Sequence, residues 1–149
     1  LMRQIETDFQ PLAAAKGLRL VIVPSTLAVG TDRNLFRRLV QNLVSNAIKY
    51  APAGSSVLVE GRRDEAGGIE MAVSDEGAGI PAADRERIFQ PYVRLGRQVA
   101  GADGLGLGLA IVRSLATAIG ATVAVDPGKA RGSRFVVCLP AASAAVRTG

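Results

Sequence analysis

GLGLGLAIV, residues 104–112, carries three glycines at alternate positions just ahead of an apolar helical pattern. Glycines so spaced remove Cβ atoms where backbone N–H groups would approach a phosphate, and the helix N-terminus beyond them favours negative charge. Three phosphate-binding architectures use such a run. A P-loop requires Gly, four residues and then Gly-Lys-Ser or Gly-Lys-Thr. Leu109 and Ala110 follow Gly108 instead, with no lysine to reach a phosphate, so that architecture is excluded. The dinucleotide-binding fold competes better, because the helix after the glycines leads to a strand ending in Asp126, where a ribose-binding acid belongs. That fold needs a buried strand running straight into the first glycine, and GRQVAGAD at 96–103 is not one. Too little chain follows Asp126 to complete a doubly wound sheet. The third architecture is decided by the rest of the chain.

With 149 residues, 48% of them apolar, the chain can bury one substantial core. Trp is absent, so Val, Leu, Ile and Ala must build that core, which suits an α/β or α+β layering of helices on a sheet. The net charge is +5. The basic residues Arg37, Arg38, Arg62, Arg63, Arg94 and Arg97 are spread along the chain without aromatic interleaving, which reads as solvated surface and not as a nucleic-acid interface. Cys138 lies in the apolar run 134–139 and is expected to be a small core residue. No eighteen-residue apolar run occurs, and LMRQIETDFQ lacks the order of a signal peptide. Beginning at Leu1, the chain reads as a piece of a longer protein. It contains no histidine.

Leu1, Ile5 and Phe9 stand at helical spacing, with a bend expected at Pro11 and a break at Gly17 before the strand LRLVIV. Asp32 is placed to cap a helix over about 33–50, whose apolar stripe runs Leu35, Phe36, Leu39, Val40, Leu43, Val44, Ala47 and Ile48. SVLVEG and IEMAVSD, separated by DEAGG, read as a hairpin. A short helix is expected from Pro81 to about Phe89, then a long loop over 90–103 of the kind that forms functional lids. A helix from Leu107 to Ile119 closes at Gly120, and the strands ATVAVD and SRFVVCLP follow, joined by PGKARG. The tail 141–149 carries no signal and is expected to fray.

Several positions carry chemistry. Asn42 and Asn46 stack one turn apart, with Lys49 completing a stripe opposite the apolar face. A solvated face is one reading; a metal-ligand pair is the other, because Asn is a poor helix former and its amide oxygen suits Mg²⁺. Asp75 ends a strand before Glu76, Gly77, Ala78 and Gly79, which on its own is as consistent with ordinary turn chemistry as with a functional position. Phe89 and Tyr92 are core anchors of the loop or residues that position it. Arg94 and Arg97 are exposed loop cations or phosphate contacts.

NLVSNAIKY at 42–50, DEGAGI at 75–80, IFQPYVRL at 88–95, GLGLGLAIV at 104–112 and GSRF at 132–135 occur in this order. Together they resemble the N, G1, F and G2 boxes and the last glycine turn of the ATP-binding catalytic domain of sensor histidine kinases. Type II topoisomerases, mismatch-repair ATPases and heat-shock chaperones share that superfamily. The resemblance covers nearly the whole chain and implies a two-layer α/β (α+β) sandwich, with a mixed, mainly antiparallel sheet packed on helices, and a long ATP lid. It implies an ATP-binding catalytic domain over residues 1–140.

The resemblance assigns Asn46 to Mg²⁺, with Asn42 beside it, Lys49 facing the phosphates and Tyr50 flanking the nucleotide. Asp75 would accept a hydrogen bond from the adenine amino group and reject guanine, with Gly77, Gly79 and Ile80 lining the base. Phe89, Tyr92, Arg94 and Arg97 belong to the lid. Gly104, Leu105, Gly106, Leu107, Gly108 and Leu109 meet the triphosphate, and Ser133 lines the site from the last turn. Leu105 stands where many relatives have Thr, which removes one hydroxyl contact to phosphate. Glu76 stands where Asn is common.

Superfamily members that hydrolyse ATP carry a Glu one turn before the metal-binding Asn; here that position is Asn42, and an amide cannot serve as the base. The implied function is to bind Mg-ATP and donate its γ-phosphate to a histidine on a separate dimerisation domain, with a response regulator as the indirect partner. Lacking His, the fragment cannot be its own acceptor, and it is expected to be monomeric and cytoplasmic, in a parent that is either soluble or anchored in the inner membrane. The alternatives are an anti-sigma-type module that uses nucleotide as a switch and a remnant that no longer catalyses.

Overall fold

Asp32 starts the longest helix as expected: its Oδ1 accepts from the N–H groups of Asn34 at 2.9 Å and Leu35 at 3.0 Å, two donors the first turn would otherwise leave unpaired. That helix is one of ten short elements in the computed structural model of the chain, which describes residues 2–23, 32–77, 79–90, 108–126 and 132–140. In chain order they are α1 (Met2–Lys16), β1 (Arg19–Ile22), α2 (Arg33–Tyr50), β2 (Ser56–Arg63), β3 (Ile69–Asp75), two 3₁₀ turns (Ala82–Asp84 and Arg87–Phe89), α3 (Gly108–Ala118), β4 (Thr122–Val125) and β5 (Ser133–Leu139). The loop expected over 90–103, the tail 141–149 and most of the turn PGKARG lie outside the described residues.

Five strands form one sheet in the order β1-β2-β3-β5-β4. Only β1 and β2 run parallel, with α2 as their crossover; the β2–β3, β3–β5 and β4–β5 pairs are antiparallel. β5 therefore inserts between β3 and β4, two strands that α3 connects, and brings Ser133 opposite Asp75. The DEAGG loop closes the β2–β3 hairpin, with Asp64 Oδ1 accepting from Ala66 N at 3.0 Å and Gly68 N at 2.7 Å.

The helices cover one face of the sheet. α2 buries Phe36, Leu39, Val40, Leu43, Val44, Ala47 and Ile48, α1 buries Ile5, Phe9 and Ala13, and Val57, Val59, Val73, Phe135 and Val137 meet them from the strands. Each of these Val, Leu, Ile and Phe side chains contributes about 1.5–3 kcal/mol by leaving water. On the other face, Arg134 bonds Asp126 at 2.8 Å and lies 3.7 Å from both Glu60 and Glu70.

Three expectations change. α1 runs unbroken through Pro11 to Lys16. The helix expected over 81–89 is two separate 3₁₀ turns, because Ala82–Asp84 and Arg87–Phe89 close i+3 bonds and Gln90 turns back to extended backbone. Cys138 is half-buried on the open face of β5, since strand alternation gives the core to Phe135, Val137 and Leu139. Burial, and then the nearby Glu70 carboxylate, push its thiol pKa up. No helix among the described residues is long and apolar enough to cross a membrane.

Candidate functional site

Asn42, Asn46, Lys49 and Tyr50 occupy the C-terminal half of α2 and are all half-buried. They sit on the flank of the apolar stripe and not opposite it: Asn46 is seven residues beyond Leu39, which at 3.6 residues per turn rotates it by only about 20° from that fully buried side chain. Asn42 Nδ2 donates to Arg38 O at 2.7 Å, a local bond along the helix. Asn46 Nδ2 is buried and has no hydrogen-bond partner among the described residues. An amide left so carries a desolvation cost of about 1–3 kcal/mol unless a ligand or water satisfies it.

The end of α2 is tied down from outside. Lys16, at the last position of α1, donates from Nζ to Ile48 O at 2.7 Å and to Lys49 O at 2.5 Å, satisfying two carbonyls that the helix leaves open. Burial lowers the pKa of this ammonium.

Beside that helix end, β3 delivers Asp75, 1% exposed. Its Oδ1 accepts from Gly77 N at 2.8 Å. The turn that follows is built of contacts only glycine permits. A Cβ on Gly77 would lie 2.9 Å from Tyr50 O, and one on Gly132, whose φ is +79°, would lie 2.0 Å from Asp75 O. The chain entering β5 is thereby pressed against the chain leaving β3. Ser133, also 1% exposed, pairs in register with Asp75, and its Oγ is buried with no hydrogen-bond partner among the described residues. Gly79 approaches Gly132 O, and Ile80 is buried beside them.

Phe89 is a core anchor: its ring meets Phe135 edge-on at 6.1 Å between centroids, and the Arg113 guanidinium stands 4.6 Å over it. Arg113 Nη2 also bonds Glu86 Oε2 at 2.8 Å, so α3 is pinned to the 3₁₀ segment at two points. Gly108 opens α3 and Leu109 is buried. Tyr92, Arg94, Arg97, Gly104, Leu105, Gly106 and Leu107 lie outside the described residues.

The fold thus unites Asn46, Tyr50, Asp75, Gly77, Gly79 and Ser133 around the junction of α2, β3 and β5. Sequence reasoning missed Lys16, Arg113 and the latch from Glu76 Oε2 to Ser56 N at 2.7 Å. Each acts across a long sequence separation, and no local pattern announces it.

The family described as "Histidine kinase-, DNA gyrase B-, and HSP90-like ATPase" matches residues 31–143, a span that includes every residue of this junction. The chain belongs to that family. Within the family its relatives are sensor kinases: it is 44% identical over 119 residues to the sensor-like histidine kinase SenX3 of Mycobacterium tuberculosis, covering 79% of this chain and 29% of that protein. It is 38% identical over 123 residues to the histidine protein kinase DivJ of Caulobacter vibrioides, covering 83% of this chain and 20% of that protein. The domain superposes on full-length ShkA, solved in complex with AMPPNP, with a TM-score of 0.78 and 31% identity over 93% of this chain and 29% of that one. It therefore spans under a third of the length of these kinases, as an ATP-binding catalytic domain of the histidine-kinase type.

Proposed function

We propose that this domain binds Mg-ATP at the junction of α2, β3 and β5 and presents the γ-phosphate to a histidine on a separate dimerisation domain of its parent protein, which then supplies a response regulator. The observation that carries this reading is the buried pair Asp75 and Ser133: a carboxylate and a hydroxyl with no hydrogen-bond partner among the described residues, on adjacent strands, beside backbone cleared by glycines. A carboxylate and a hydroxyl so placed suit a flat base with an exocyclic amine. Asp75 accepts from the adenine amino group, while Ser133, Gly77, Gly79 and Ile80 line the base and Tyr50 flanks it.

Asn46 would hold the metal through its side-chain oxygen, a hard neutral ligand on the half-buried flank of α2, and the metal would supply neutralisation of phosphate charge there. Lys49 faces the phosphates. Asn42 is an amide where an ATPase needs a carboxylate base, so the domain holds its phosphate for an incoming nucleophile and does not activate water. The glycine run 104–108 with Leu109, together with Tyr92, Arg94 and Arg97, closes over the triphosphate, and Phe89 anchors that segment's root. We place the domain in the cytoplasm, as a monomer. The relatives offer no support for an anti-sigma module or a remnant.

A calorimetric titration of Mg-ATP, followed by incubation of the chain and labelled ATP with a histidine-bearing dimerisation domain from its parent, tests this. Saturable heat without sustained turnover, and label on the added histidine, are expected. Continuing heat overturns the kinase reading in favour of an ATPase, and no binding by calorimetry or by a fluorescent nucleotide overturns nucleotide binding altogether.

A further inference from the structure

Glu76 is the first residue beyond β3 and is exposed. Its neighbours Asp75 and Gly77 are packed against strand or helix backbone, whereas its own side chain reaches into solvent on the open face. The β2–β3 register pairs Leu58 with Ser74, so two positions further on the same register would set Ser56 opposite Glu76. β3 ends at Asp75 instead, and the Ser56 N–H donates to the Glu76 carboxylate at 2.7 Å. Ser55 O already accepts from Arg19 N of β1, which turns the Ser56 N–H toward β3.

The side chain therefore does what a main-chain carbonyl would do in a continuing ladder, and the Glu76 backbone is released to leave the sheet. That departure lets Gly77 N fold back onto Asp75 Oδ1 at 2.8 Å, which sets the carboxylate's orientation. It also leaves room for Gly132, where a Cβ would lie 2.8 Å from Glu76 Cα. A charged acceptor makes this a stronger tether than a neutral side chain of the same reach.

We propose that Glu76 is a positioning residue for base recognition: its latch on Ser56 holds the Asp75–Gly77 turn in the orientation that selects adenine. The proposal rests on the nucleotide reading above and adds a residue that never touches the nucleotide. Nothing in the latch needs the base to be present, so the tether and its consequence are measurable separately.

The test compares the parent chain with Glu76→Ala and Glu76→Gln by calorimetric titration of Mg-ATP and Mg-GTP, and by amide hydrogen exchange of Ser56 and Gly77 without nucleotide. In Glu76→Ala both amides should exchange faster, ATP affinity should fall about fivefold to tenfold, and the preference for ATP over GTP should narrow by a similar factor. Glu76→Gln keeps an acceptor oxygen and should recover most of all three. Faster exchange with an unchanged ATP-to-GTP ratio overturns the positioning role, as does an equal loss of affinity in both variants, which would trace the effect to charge. A parent chain that binds neither nucleotide overturns the underlying reading of the site, and with it the recognition role, whatever the amides do.

Discussion

Asp75 and Ser133 face each other across the β3–β5 ladder, each 1% exposed, although 57 positions separate them in the chain (133 minus 75, less one). The pairing brings the one buried carboxylate of the described residues beside a hydroxyl that has no hydrogen-bond partner among them. It is the chemical centre of the proposed adenine contact, and both halves are open to test.

Replacing Asp75 with Ala removes the acceptor for the adenine amine. A hydrogen bond to a charged group contributes about 1.5–3 kcal/mol, so Mg-ATP affinity should fall about tenfold to a hundredfold while affinity for GTP changes little. Competition calorimetry with the two nucleotides reads the ratio; an unchanged ratio removes Asp75 from base recognition.

Ser133→Ala should split stability from binding. The hydroxyl is buried and has no hydrogen-bond partner among the described residues, so its removal should leave nucleotide-free stability unchanged or raised by up to about 1 kcal/mol. If nucleotide supplies the missing partner, ATP affinity should nevertheless drop several-fold. Denaturant melts alongside titrations decide it, and parallel losses in both would mean that the hydroxyl serves the fold.

For Asn46→Ala, the expected deficit depends on the metal. Mg-ATP binding should weaken about tenfold, whereas binding of ATP in excess EDTA should match the parent within about twofold, since the amide is assigned to the cation and not to the base. Equal weakening with and without Mg²⁺ would assign Asn46 directly to the nucleotide.

Gly132→Ala places a Cβ 2.0 Å from Asp75 O at a φ of +79°. The clash and the left-handed backbone together should cost more than about 2 kcal/mol, well beyond the roughly 1 kcal/mol of an ordinary Gly→Ala change at positive φ. Thermal melts supply the comparison, with Gly54→Ala as the control, because Gly54 also has positive φ but open space around its Cα.

Lys16→Met should lower stability at neutral pH by on the order of 1 kcal/mol, because two carbonyls at the end of α2 lose their donor. The pH dependence has a definite sign. Burial lowers the Lys16 pKa in the folded state below its unfolded value of 10.5, so the unfolded chain binds the proton more readily, and the Lys16 contribution to stability rises with pH through the window just below 10.5. In Lys16→Met that rise should be absent; a difference curve that is flat or falls with pH contradicts the assignment.

Much of the fold was legible because it is written in local periodicity. The α2 stripe repeats every three to four residues from Phe36 to Ile48, Asp32 stands where a cap belongs, and DEAGG supplies an Asx turn with glycines for the β2–β3 hairpin. The 3₁₀ turns at 82–89 were not legible as such, because proline followed by a few helix-compatible residues is equally consistent with one α-turn and two shorter ones. The spacing of the boxes proposed which residues form the site, and the fold brings Asn46, Tyr50, Asp75, Gly77, Gly79 and Ser133 to the junction of α2, β3 and β5. How deeply side chains sit was not legible: Asn46 lies half-buried on the flank of the α2 stripe, and Cys138 takes its half-exposure from the alternation of β5.

The sequence by itself determined the order of the main helices and strands and the apolar faces, and it supplied the polar residues proposed for the nucleotide, since each follows from patterns within a dozen or so neighbours. Tertiary structure alone decided that β5 inserts between β3 and β4, that Ser133 therefore meets Asp75, that Lys16 caps a helix 32 residues away, and that Glu76 closes a ladder on Ser56. Those relationships are set by strand register and packing between distant segments. A local pattern cannot encode them, because the same side chains in another register would point to the opposite face of the sheet.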